Sequence, residues 1–279
     1  MADGQFIRPR IMGILNLTHD SFFAPSRVPE PEAALRQATE MVRDGADILD
    51  VGAESSRPGS EYVALAEELE RIVPVVSALH EAFPNTPVSV DTRKAAVAKA
   101  ALDAGASIIN DISALRDDAA MTPLIAERGA QVILMHMRGT PLTMQEAPSY
   151  DDPVAEVSGE LAALAASAVS GGIDPAKIIL DPGIGFGKRV ADNWALLRNV
   201  STIRQIGYPV VIGLSRKSFL GHLLADSNGV RGVEGRLNAT IAGQLWCTLH
   251  GVEIIRVHDV QAMRDALRVW EELLAAGPE

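Results

Sequence analysis

The sequence predicts an α/β chain folded as one (β/α)8 barrel of the TIM type, and three observations carry that expectation. Eight short runs rich in Val, Ile and Leu, at 10–17, 47–51, 87–90, 107–109, 131–135, 177–180, 209–212 and 253–257, alternate with longer segments of helical period. The runs are almost continuously apolar rather than alternating, as parallel strands covered on both faces require. Polar side chains then cluster where the runs end: Asn16, Glu54, Asp91, Asn110 with Asp111, His136, Asp181, Ser215 with Lys217, and Arg256 with His258. A closed barrel gathers all such ends around one mouth, whereas an open sheet strings them along an edge with only the switch point useful.

At 279 residues the chain can bury roughly 75% of the surface its unfolded form exposes, so one domain over 1–279 is expected without metal or disulfide staples. The single cysteine, Cys247, excludes an intrachain disulfide and sits in an apolar helical stretch, which suits a buried structural thiol. Twenty-five basic residues against 36 acidic ones give a net charge of -11, with no basic stripe for nucleic acid to follow. Residues 1–10 lack the apolar stretch of an export signal, and no run of about 18 apolar residues occurs, so a cytoplasmic protein without membrane contact is expected.

Taken in order, the first run ends at Asn16 and opens the polar loop NLTHDSFF, 16–23. Asn16 can cap a turn or offer a hard oxygen to a Mg²⁺ otherwise held by diphosphate and water, since Mg²⁺ rarely needs a full protein cage. Pro29 and Pro31 precede a helix over 32–44 that stops at Gly45. The second run leads into ESSRPGS, 54–60, a polar turn-forming loop of the kind that closes over a substrate. A helix over 94–104, ended by Gly105, follows the strand that carries Asp91. His136, between Met135 and Met137, has no second His or Cys at ligand spacing and reads as barrel packing rather than a metal ligand. Asp151 and Asp152 read as a helix N-cap rather than an acid pair, and a helix covering 157–170 ends at Gly171 and Gly172.

The sixth run carries IILDPGIGFGK, 178–188, a carboxylate at a strand end followed by a glycine-rich turn. The glycine spacing fits neither a dinucleotide nor a Walker phosphate loop, so the segment is either a tight βα turn or a ligand loop. Asp181 favours the ligand loop, because an acceptor-only side chain suits the amino and ring N–H edge of a guanidine-like heterocycle. Next, VIGLSRKS, 211–218, ends a strand with two cations and two hydroxyls just before a helix, a site for an anion or a carbonyl. Arg216 there reads equally as a solvated turn residue. In the last strand Arg256 and His258 alternate onto one side, where a guanidinium fork and a ring N–H together can hold a diphosphate.

The stretches MGILNLTHDSFF, DVGAESSRPGS, VSVDTRKAAVA, IINDIS, LMHMRGTP, LDPGIGFGK, LSRKSFLG and RVHDV, in this order along nearly the whole chain, resemble the dihydropteroate synthase family. The resemblance implies a barrel enzyme that joins a pterin pyrophosphate to p-aminobenzoate and releases pyrophosphate. Asp91, Asn110, Asp181 and Lys217 would then hold the pterin. Asn16, Arg256 and His258 would receive the pyrophosphate with Mg²⁺. Phe22, Ser56, Arg57, Pro58, Phe186, Lys217 and Ser218 would shape the arylamine pocket. A homodimer joined through barrel helices is implied with them. The chain departs from the family pattern at His19, in place of a proline, at Ala24, in place of a second Asp, and at Ser56, in place of a threonine. Two other readings compete: a corrinoid-linked methyltetrahydrofolate methyltransferase, which has no use for SRKS and RVHD together, and a non-catalytic pterin-binding paralogue.

Overall fold

The strands are buried almost end to end, and alternate residues face the barrel interior and the surrounding helices. The computed structural model describes residues 8–17, 30–55, 59, 60, 62–227 and 229–275. Eight parallel strands lie in the order β6-β5-β4-β3-β2-β1-β8-β7: β1 Arg10–Asn16, β2 Ile48–Gly52, β3 Val88–Asp91, β4 Ile108–Asp111, β5 Gln131–Met135, β6 Ile178–Asp181, β7 Val211–Gly213 and β8 Ile254–Val257. The two ends of this order meet through one parallel bridge, Leu180 to Val210, with Leu180 N–H donating to Pro209 O at 2.9 Å. The barrel expected from the sequence is therefore present, and its strand ends fall within two residues of those read from the apolar runs.

Inside, Met12, Ile48, Ile108, Ile133, Ile179, Val211 and Ile254 form one buried cluster contributed by seven strands. Outside, Ile11, Leu49, Val51, Val88, Val90, Ile109, Val132, Leu134, Ile178, Leu180, Ile212, Ile255 and Val257 join the larger core beneath the helices. Because side chains alternate along a strand, the residues two positions beyond the inner cluster share its face one layer nearer the C-terminal end. Those residues are Ile14, Asp50, Asn110, Met135, Asp181, Gly213 and Arg256. Apolar plug and polar mouth thus come from a single register.

Helices α1 Glu30–Arg43, α2 Leu65–Ala82, α3 Ala95–Asp103, α4 Met121–Arg128, α5 Pro153–Ser170, α6 Val190–Arg198, α7 Val200–Arg204, α8 Ser218–Leu223, α9 Leu237–Leu249 and α10 Val260–Ala275 surround the strands. Asp152 caps α5, its carboxylate accepting from Val154 N–H at 3.0 Å and Ala155 N–H at 3.1 Å, with Pro153 in the first turn. The helix starts four residues before the expected 157 because this cap, not the first buried valine, sets its beginning. Cys247 is buried, and burial pushes its thiol up to about 12. Among the described residues no helix is long and apolar enough to cross a membrane.

Candidate active site

Asp50 of β2 is the hub of the mouth. Its fully buried carboxylate accepts from Ser89 Oγ at 2.6 Å, from Arg256 Nε at 2.6 Å and from Asn110 Nδ2 at 3.3 Å, so β2, β3, β4 and β8 are tied through one side chain. Arg256 also reaches Asp91, Nη2 to Oδ2 at 3.5 Å. Burial raises the Asp91 carboxyl above its ordinary range, the Arg256 guanidinium opposing it and Asp50 adding to it. Sequence reading passed over Asp50 and Ser89. The available signal was a carboxylate in an otherwise apolar strand, ILDVG, which a sheet covered on both faces has to direct into the barrel.

On the opposite wall Asp181 ends β6, its Oδ1 accepting from Gly183 N–H at 2.7 Å. Burial raises this carboxyl too, and Lys217, the Gly183 N–H and Arg256 hold it back. Lys217 comes from the turn after β7 and donates to Ile184 O, with its ammonium 4.7 Å from the centre of the Phe186 ring. Burial lowers the Lys217 ammonium to about 8, against the pull of Asp181. The close approach to this lysine is at Gly185, where a β-carbon would lie 3.2 Å from Lys217 Cδ. Two carboxylates and two cations from different strands therefore share one rim.

The remaining assignments divide. Arg216, at φ 60°, turns away from Lys217 and pairs with Asp259, Nη2 to Oδ1 at 2.6 Å, so it is a fixed ion pair rather than a free turn cation. Ser218 is exposed at the start of the six-residue helix α8. His258 lies just past β8, half-buried, with its Nδ1 2.9 Å from Ser215 Oγ and its N–H donating to the same hydroxyl at 3.1 Å. Phe186 packs against a small apolar patch of Ile112, Met135, Met137 and Met144. Asn16 ends β1, half-buried. Phe22, Ser56, Arg57 and Pro58, together with His19 and Ala24, lie outside the described residues.

Two strand-end groups have their own partners. Glu54 bridges Arg93 and Lys94, the latter at 2.6 Å, and Lys94 also pairs with the buried Glu68, which accepts from Thr92 Oγ1 at 2.6 Å. Burial tends to raise the Glu54 carboxyl, but the two cations hold it below its ordinary value. Asp111 is spent on the turn that follows it, accepting from Ser113 N–H at 2.7 Å and Leu115 N–H at 2.9 Å, which holds Ala114 and Leu115 at positive φ. His136 is buried, as barrel packing requires, yet it is also bonded to Lys188 and Glu160. Lys188, the last residue of the glycine-loop motif, has its role only through these contacts, which nothing local in the sequence marks.

The chain matches the pterin binding enzyme family over residues 12–258. It is 46% identical over 272 residues to the dihydropteroate synthase of Mycobacterium leprae (strain TN), covering 97% of this chain and 95% of that one. The structure of Xanthomonas albilineans dihydropteroate synthase with 4-aminobenzoic acid superposes with a TM-score of 0.89 at 42% identity, covering 97% of this chain and 94% of that chain. A structure of the Xanthomonas albilineans enzyme in complex with 7,8-dihydropteroate gives a TM-score of 0.85 at 39% identity, with 98% and 96% coverage.

Proposed function

The chain belongs to the pterin binding enzyme family, among its dihydropteroate synthases, and on that footing we propose how it condenses 6-hydroxymethyl-7,8-dihydropterin pyrophosphate with p-aminobenzoate. It is a transferase, and its products are 7,8-dihydropteroate and pyrophosphate. The observation that carries the mechanistic reading is the shared rim of Asp91, Asp181, Lys217 and Arg256.

Substitution occurs at the exocyclic methylene of the pterin, with pyrophosphate departing ahead of full bonding to the amine. Cationic charge grows on the pterin and anionic charge on the leaving group. Asp91 and Asp181 are fixed near the first, and Arg256 with His258 near the second, which is stabilisation by preorganised groups. Asp181 and Asn110 grip the ring edge, while Lys217 lies between pterin and arylamine. Phe186, Ser218 and the loop residues Phe22, Ser56, Arg57 and Pro58 complete the arylamine pocket. The amine is nucleophilic in its neutral form and needs no strong base.

A Mg²⁺ ion fits this scheme as the companion of the diphosphate. One hard amide oxygen at Asn16, at the end of a strand beside β8, suits a cation that keeps several waters and phosphate oxygens. When bound it would withdraw charge from the leaving group. A homodimer is also proposed, since Trp246 and Leu249 of α9 and Val269 and Leu273 of α10 are exposed apolar residues on adjacent helices; sedimentation gives the mass. A cytoplasmic setting goes with these proposals, in keeping with the lone buried Cys247.

The direct test is pyrophosphate release from the pterin pyrophosphate with and without p-aminobenzoate. Release that depends on the arylamine and yields dihydropteroate supports the reading. Pterin binding without release, or methyl transfer instead, defeats it.

A further inference from the structure

The β6–α6 loop, 183–187, ought to be slack. Three of its five residues are glycines at positive φ, Gly183, Gly185 and Gly187. Yet each of its carbonyls has a partner. Gly183 O accepts from Phe186 N–H at 3.0 Å, Ile184 O from Lys217, Gly185 O from Gln145 Nε2 at 3.1 Å, Phe186 O from Lys188 at 3.0 Å and Gly187 O from the Tyr150 hydroxyl at 2.9 Å.

Lys188 is the deepest of these anchors, 4% exposed. Besides Phe186 O, its Nζ meets His136 Nδ1 at 3.0 Å and His136 O at 3.3 Å. An ammonium has three donors and no acceptor, so these three contacts use its whole capacity. While Lys188 carries its proton, His136 Nδ1 accepts and the ring proton stands on Nε2, 2.9 Å from Glu160 Oε2. Glu160 is in turn held by Arg138. Gly183 completes the seam, because a β-carbon there would fall 2.0 Å from His136 O.

We propose that Lys188 is a positioning residue that pins the β6–α6 loop to the end of β5, fixing the Phe186 ring against the Lys217 ammonium for arylamine binding. The proposal rests on the reading of the site given above. Lys188 reaches the arylamine side through Phe186 O and the β5 end; its charge also pulls on Asp181, but less than Lys217, the Gly183 N–H of the same loop and Arg256 do, while Asp91 is anchored on Arg256.

The test is steady-state kinetics of Lys188→Met, Tyr150→Phe and the double variant, with both substrates varied. Lys188→Met should raise the KM for p-aminobenzoate by about tenfold or more, while the KM for pterin pyrophosphate moves less than about threefold. Tyr150→Phe should shift the arylamine KM in the same direction by less. The double variant should fall short of the product of the single effects, since both act on one loop. Unchanged arylamine KM in Lys188→Met, or equal losses in kcat and both KM values, overturns the proposal. Should Lys188→Met not fold, Tyr150→Phe and the exposed Gln145→Ala carry the test, and wild-type arylamine KM in both overturns it. An inactive wild-type enzyme sinks the reading of the site, and the proposal with it; an active one with indifferent variants sinks the proposal alone.

Discussion

The guanidinium of Arg256 rests on the carboxylate of Asp50, Nε to Oδ2 at 2.6 Å, at the bottom of the barrel mouth. Asp50 is fully buried and Arg256 only partly, so removing the anion leaves the cation with Asp91, at 3.5 Å, as its nearest carboxylate among the described residues. Asp50→Asn should lower stability by about 3 kcal/mol, toward the small end of the range for broken buried pairs. Urea denaturation measures this, and an unmoved midpoint would remove Asp50 from its place as hub.

Arg256→Ala should weaken binding of the pterin pyrophosphate far more than that of the free hydroxymethyl pterin. The guanidinium is proposed to meet the diphosphate, and a charge-assisted bond is worth about 1.5–3 kcal/mol. Calorimetry with the two ligands decides it; equal losses would point to a structural arginine.

Asp181→Asn should lower pterin affinity by about tenfold or more, because an amide presents a donor where the ring edge needs an acceptor. The Gly183 N–H that now donates to Asp181 can donate to the oxygen of the replacement amide as well, so the loss should be read in pterin affinity rather than in a displaced loop. Equal pterin affinity in mutant and wild type would refute the assignment.

Activity and stability should part company above pH 8. Burial sets Lys217 near 8 and Lys188 near 7, against 10.5 for the group's ordinary value. Between those values the unfolded chain holds more protons than the folded one, so stability of the ligand-free protein should rise from about pH 8 to 9. Asp91, raised by burial, acts in the opposite sense below that window, and Cys247 does so above about 9. Over the same interval kcat/KM should fall as Lys217 loses its proton. Denaturation midpoints and initial rates across the range provide both curves, and Lys217→Met should flatten the first.

The barrel was legible in the sequence because parallel strands covered on both faces leave apolar runs with polar tips, and those tips, Asp91, Asn110, Asp181 and Arg256, do meet at one mouth. What sequence could not rank was which tips serve the mouth and which serve the frame. Glu54 and Asp111 look as functional as Asp91 in one dimension, but Glu54 is neutralised by Arg93 and Lys94, and Asp111 shapes its own turn. The strand around Asp50 marks it as an inward carboxylate, but neither its role as hub nor that of Lys188 is written locally. Their partners, Arg256 and His136, are 206 and 52 residues away, distances that no local pattern encodes.

The single bridge between Leu180 and Val210 leaves β6 and β7 joined by much less than any other neighbouring pair. Asp181 stands immediately after one lip of that slit and Lys217 beyond the other, so their attraction works like a clasp across the thinnest part of the staves. A molecule gripped by both ions also draws the slit shut, and the Leu180 amide, whose N–H spans it, should exchange with deuterium more slowly once the cup is filled.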